Sequence, residues 1–252
     1  MTDAPRDLAI KVPAVTLGFW VIKILATTLG ETGGDAVTMS MGLGYLVGTA
    51  IFSVTFVAAV LVQIRARAFH PMLYWATIVA STTVGTTLAD FATRSLGIGY
   101  TGGSTLLLAL LLASLLVWQR VMGSIAVDSV SDSRSEAFYW TSIMFSQTLG
   151  TALGDWVADT GGLGYVGAMV VFGGLLAVVA ALFFLTRISR TTLFWMAFIL
   201  TRPLGAVVGD FLDKPVASGG LDLSRYVASG VLLAAIVLLV LVLPQRPAER
   251  AH

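Results

Sequence analysis

Ser146-Gln147-Thr148-Leu149-Gly150-Thr151-Ala152-Leu153-Gly154-Asp155 follows an aromatic pair, Tyr139-Trp140, and its layout occurs four times in the chain. The other copies run from Phe19-Trp20 to Asp35, from Tyr74-Trp75 to Asp90 and from Phe194-Trp195 to Asp210. In each copy the tryptophan precedes the aspartate by 15 residues. A glycine stands five before the aspartate (Gly30, Gly85, Gly150, Gly205), and a small residue one before it (Gly34, Ala89, Gly154, Gly209). A repeat this regular governs the reading of the fold, because such units bury their faces against neighbouring copies.

The chain is 57% hydrophobic and 12% charged, with mean hydropathy +0.89. Soluble domains carry about 25% charged residues, so an all-α integral membrane protein is expected. A net charge of +1 gives no electrostatic case for a nucleic-acid partner. The chain has no cysteine, which excludes disulfides and thiolate metal sites. Residues 1–11 mix acidic and basic side chains without a short apolar run, and read as a cytoplasmic tail rather than a signal peptide.

A membrane-spanning helix needs about 20 mostly apolar residues. Eight segments qualify as spans, near 12–30, 43–64, 71–91, 100–119, 137–157, 163–185, 191–212 and 226–243. Each repeat is then a helical hairpin whose first helix carries the motif, and the four hairpins enter the membrane in the same direction. Short turns with Gly44-Tyr45, Gly99-Tyr100 and Gly164-Tyr165 join the paired helices. The fourth copy departs from this, with an insertion around Asp213-Lys214-Pro215 and Asp222 before Arg225-Tyr226. The spacing divides the chain into two halves, 1–126 and 127–252, each a pair of hairpins within one membrane domain. Ten lysines and arginines fall in loops and tails on the side of the termini, and only Arg94, Lys214 and Arg225 on the other. That bias places both termini in the cytoplasm of a prokaryotic inner membrane and the motif aspartates towards the outer face. The aromatic pairs read as anchors at the inner interface.

An aspartate at the centre of a membrane helix costs about 2.5–3.5 kcal/mol, so four at one position need a common reason. Four residues earlier stand Glu31, Thr86, Thr151 and Ala206; seven earlier, Thr28, Thr83, Thr148 and Pro203; eight earlier, Thr27, Thr82, Gln147 and Arg202. At 3.6 residues per turn these form a polar stripe, which must face protein or water. The motif helices are therefore expected inside, with the apolar return helices outside. The small-xxx-small pairs favour close helix packing.

Asp35, Asp90, Asp155, Asp210 and Glu31 are candidate metal or proton ligands, with Thr28, Thr83, Thr148 and Gln147 in support. Oxygen ligands without Cys or His suit hard cations such as Mg²⁺, Ca²⁺ or Mn²⁺. Lys23 and Arg202 would pair with motif aspartates or line an anion path, and Pro203 should kink or break its helix. The aspartates could instead be structural, ending helices or pairing with Arg94, Lys23 or Arg202. His70, Asp159 and Asp213 read as exposed loop groups. No hydrolase or nucleotide-binding motif is present, so the chain is not read as an enzyme, and no cofactor is expected beyond a possible bound divalent cation.

The aromatic-Trp start, Thr-Leu-Gly centre, Gly-Asp end and Gly-Tyr turn resemble a prokaryotic family of multispanning membrane proteins built from a four-copy repeat of unknown function, over about residues 14–243. The resemblance implies the fold class and no mechanism. The residues themselves favour secondary transport or export of a cation through the Asp/Thr site, with lipid and a small inorganic ion or solute as partners. The alternatives are a non-transporting scaffold or sensor, and an anion or organic-solute transporter using Lys23 and Arg202.

Overall fold

The computed structural model describes residues 10–248; Arg6 and Arg250 of the basic count lie outside them. Eight long helices follow one another: α1 (Leu17–Asp35), α2 (Gly44–Arg65), α3 (Pro71–Asp90), α4 (Gly99–Met122), α5 (Ser133–Asp155), α6 (Gly164–Leu185), α7 (Arg190–Asp213) and α8 (Arg225–Val242). Local sequence explains most boundaries. Pro71 opens α3 at a position that needs no N–H donor. Asp132 caps α5 by accepting from the amides of Arg134 and Ser135. α1 begins at Leu17 rather than near residue 12 because Thr16 caps it and Val12 to Ala14 pair with the other end of the chain.

Helices α1, α3 and α5 each end on the motif aspartate and continue into one π-helical turn: Ala36–Ser40, Phe91–Ser95 and Trp156–Thr160. Each then turns back through a Gly-x-Gly triplet. Gly42 and Gly44, Gly97 and Gly99, and Gly162 and Gly164 all take φ between 62° and 74°, a region costly for residues with a Cβ. Helix α7 runs unbroken through Pro203 to Asp213 and has no such turn. The helix is not broken at Pro203, whose ring lies against Gly150 of α5.

Helices α1, α3, α5 and α7 form a closed inner ring in that order, with α7 packed on α1. Every return helix packs on the motif helix of the next repeat: α2 on α3, α4 on α5, α6 on α7 and α8 on α1. The repeats therefore interlock around the ring. The motif glycines set its tightness. Gly30 lies under Thr82, Gly85 under Gln147, Gly150 under Arg202 and Gly205 under Thr27, so each is covered by the residue eight before the next repeat's aspartate. A Cβ on Gly85 would stand 2.8 Å from the Cβ of Gln147 and 2.9 Å from its carbonyl carbon. Thr82 and Thr27 donate across the same contacts to the carbonyls of Ala26 (3.1 Å) and Thr201 (3.2 Å).

Apolar side chains cover the outside. Val54, Val170, Val231 and Leu241, on three return helices, are 64–72% exposed, an apolar surface that water does not tolerate at this extent. Five helices (α2, α4, α6, α7 and α8) are long and apolar enough to cross a membrane, and the chain is a multi-pass membrane protein. In α1, α3 and α5 the inward polar residues lower the hydropathy, while their burial keeps those residues from lipid.

Apart from the half-buried Trp20, the aromatic pairs are buried rather than exposed as interface anchors. Phe19, Tyr74, Tyr139 and Phe194 are buried, as are Trp75, Trp140 and Trp195. Their rings pack edge-on or tilted at centroid distances of 5.1–6.3 Å, and the Tyr74 and Tyr139 hydroxyls share a 2.6 Å hydrogen bond. Packing four bulky rings at the mouth of the ring buries more apolar area than leaving them at the rim. At this same end Pro13 and Pro247 form an antiparallel bridge, and Lys11 binds Glu136 at 2.5 Å and the carbonyls of Gln63 and Ile64.

Candidate ion site

Residues four apart on each motif helix stack into rows facing the ring's interior. Counting away from the aspartates, the rows are Asp35/Asp90/Asp155/Asp210, Glu31/Thr86/Thr151/Ala206, Thr27/Thr82/Gln147/Arg202, Lys23/Ile78/Ile143/Phe198 and Phe19/Tyr74/Tyr139/Phe194. All twenty residues are buried. The interior is polar through the first three rows and apolar or aromatic through the last two, with Lys23 the exception.

The aspartates, far apart in sequence, converge at one end of the ring, and cations bridge them in pairs. Arg94 Nε binds Asp90 at 2.9 Å and its Nη2 binds Asp155 at 3.1 Å. Lys214 bridges Asp210 (3.1 Å) and Asp35 in the same way. Both cations stand four residues after their own aspartate, where the other two repeats carry Met39 and Asp159. The second and fourth repeats thus each supply a cation shared with the repeat that follows. Asp213 is not an exposed loop group. It is buried, because the inserted segment folds Arg225 back onto it at 3.0 Å, with Lys214 at 4.0 Å. Burial alone would lower the Lys214 pKa. The carboxylates of Asp210, Asp35 and Asp213 outweigh it and hold the ammonium well above its usual value.

One row deeper, Arg202 Nη2 reaches across the ring to Glu31 (3.0 Å) and to the hydroxyls of Thr86 and Thr151 (2.5 Å each). Arg202 therefore pairs with Glu31 and not with a motif aspartate. Lys23 pairs with none: its Nζ lies 4.2 Å over the Phe198 ring and has no hydrogen-bond partner among the described residues. Thr28, Thr83 and Thr148 turn back on their own helices, donating to the carbonyls of Ile24, Val79 and Met144. Gln147 donates to Ser81 at 3.3 Å. Asp159, exposed as expected, receives the Tyr100 hydroxyl at 3.4 Å.

Two groups of carboxylates place one oxygen from each member within 4.8 Å of one another: Glu31 with Asp35 and Asp90, and Asp35 with Asp210 and Asp213. Asp35 belongs to both, is wholly buried, and keeps its Oδ1 without a hydrogen-bond partner among the described residues. Sequence reasoning missed Lys214, Arg225, Asp213, Thr86 and Thr151 as site residues. The signal was present: Thr86 and Thr151 share the row of Glu31, and Arg94, Lys214 and Arg225 are the only basic residues of the motif end.

A family model described as Repeat of Unknown Function (DUF347) matches residues 18–69, 73–124, 138–189 and 193–245, one match for each hairpin. No curated protein and no solved structure matches the chain.

Proposed function

The chain belongs to this family of repeats of unknown function, and from that premise we propose that it is a membrane transporter for a hard divalent cation, held first at the aspartate end of the ring. One observation carries the reading. Six buried carboxylates (Glu31, Asp35, Asp90, Asp155, Asp210, Asp213) gather around four cations (Arg94, Arg202, Lys214, Arg225), a surplus of two negative charges. Buried charge without compensation is strongly unfavourable, and one divalent ion balances this surplus. The donors are all oxygen, which suits Mg²⁺, Ca²⁺ or Mn²⁺.

The site sits where a transport site belongs. In this reading all eight helices span the inner membrane, with the termini cytoplasmic and the aspartates towards the outside. A cation entering there meets hydroxyl, amide and carboxylate rows for about two helical turns before the apolar and aromatic rows close the way. The structure then corresponds to one end state of an alternating cycle. With no nucleotide-binding motif in the sequence, secondary transport or a channel fits better than a pump, and no enzymatic activity is proposed.

The test is thermal stability of the purified protein against Mg²⁺, Ca²⁺ and Mn²⁺, followed by flux of the stabilising ion into proteoliposomes. At 100 times Kd, binding stabilises by about 2.7 kcal/mol. Wild type should melt several degrees higher with one of these ions, and Asp35→Asn should lose the response while Asp159→Asn keeps it. If no divalent ion moves the wild-type melting temperature, the acidic rows are architectural and the scaffold reading replaces this one.

A further inference from the structure

Two rows below the divalent site, the ring buries two basic side chains, Lys23 and Arg202, whose donors are largely unused among the described residues. Lys23 is completely buried, and its Nζ has no hydrogen-bond partner among the described residues. In place of an ion-pair partner it has the Phe198 ring at 4.2 Å, whose face attracts a cation without cancelling its charge. Phe198 stands one turn before Arg202 on α7. Arg202 is itself completely buried and uses only Nη2, for Glu31, Thr86 and Thr151; its Nε and Nη1 have no hydrogen-bond partner among the described residues. A guanidinium presents five donors, so most of this one has no protein partner among the described residues, and unmade hydrogen bonds of buried groups are costly. Glu31 cancels one of the two cations, which leaves a single positive charge flanked by unused N–H groups from two helices.

We propose that a small monovalent anion, of the halide class, binds between the Lys23 ammonium and the free edge of the Arg202 guanidinium. One negative charge balances the one surplus positive charge. A halide accepts from several directions at once, as donors arriving from α1 and α7 require. The other repeats carry Ile78, Ile143 and Phe198 where the first carries Lys23, so the ring has one such site and its pseudo-symmetry is broken there. The site lies below the aspartate rows and shares with them the Arg202–Glu31 ion pair.

The experiment uses the full-length purified protein in sodium chloride, bromide or gluconate at equal ionic strength. The proposal expects a saturable rise of several degrees in melting temperature with either halide over gluconate. Lys23→Ile restores the residue that the second and third repeats carry and should fold; its melting temperature should not depend on the halide, while its response to the divalent cation should persist. Equal melting of the wild type in halide and gluconate would overturn the proposal, as would an unchanged halide response in Lys23→Ile. Should that variant fail to fold, equilibrium dialysis of wild type with radiolabelled chloride decides: one saturable chloride per chain supports the site, and none refutes it.

Discussion

At the scale of single residues, the four motif glycines and the residues that cover them control how closely the inner helices approach. Each glycine lies beneath the side chain eight before the next repeat's aspartate, at a separation that leaves no room for a Cβ. Overpacking of this kind costs about 1–3 kcal/mol. Gly85→Ala should therefore lower the melting temperature and weaken divalent binding together, because the rows beside it lose register. The control is Gly173→Ala on α6, where a Cβ meets nothing within 4 Å; equal loss at both positions would show that the close approach does not matter. The motif glycines and aspartates were legible from their repetition. Of the counterions, Arg94 was legible as a partner for the aspartates, and Lys214 was not, because it occupies a position that the odd repeats fill with Met39 and Asp159. A feature present in alternate copies hides from a search for what all copies share.

At the scale of elements, the helices were legible because apolar length and turn chemistry are local properties. Seven of the eight lie close to the spans read from sequence; α1 is displaced because the extended segment before it is held by a distant part of the chain. The pairing of elements was not legible. A Gly-x-Gly turn returns the chain without saying which motif helix the return helix will rest on, and only the closed ring shows that it rests on the next one. The clamp at the aromatic end of the ring is equally non-local: Lys11 precedes α1, Gln63 and Ile64 end α2, and Glu136 lies in the first turn of α5. Burial raises the Glu136 carboxyl above its ordinary pKa, against the opposing pull of Lys11. The folded state thus takes up this proton more readily than the unfolded chain. The stability this contributes is full below the unfolded carboxyl value and is lost as pH rises through the raised one. The melting temperature of wild type relative to Glu136→Gln should accordingly fall from acid to neutral pH. A pH-independent difference would rule this out.

At the scale of the whole molecule, the two cation bridges fall on particular seams. Arg94 joins the second repeat to the third, and Lys214 joins the fourth to the first. Each therefore crosses a boundary between the two halves of the sequence, while the seams within the halves pack glycine against threonine in the first half and against Arg202 and Pro203 in the second. The last return helix covers the first motif helix, and Pro13 pairs with Pro247. Translation begins somewhere, but the folded object has no first repeat. A gene rearranged by circular permutation, with the segments around Pro13 and Pro247 fused and new ends opened in the linker between α4 and α5, should still encode a protein that inserts, melts cooperatively and keeps its divalent response. The same closure makes four separate hairpins, or two identical halves, plausible as earlier forms of this protein: subunits of an assembly that gene fusion later strung onto one chain, leaving each free to diverge at its own seam.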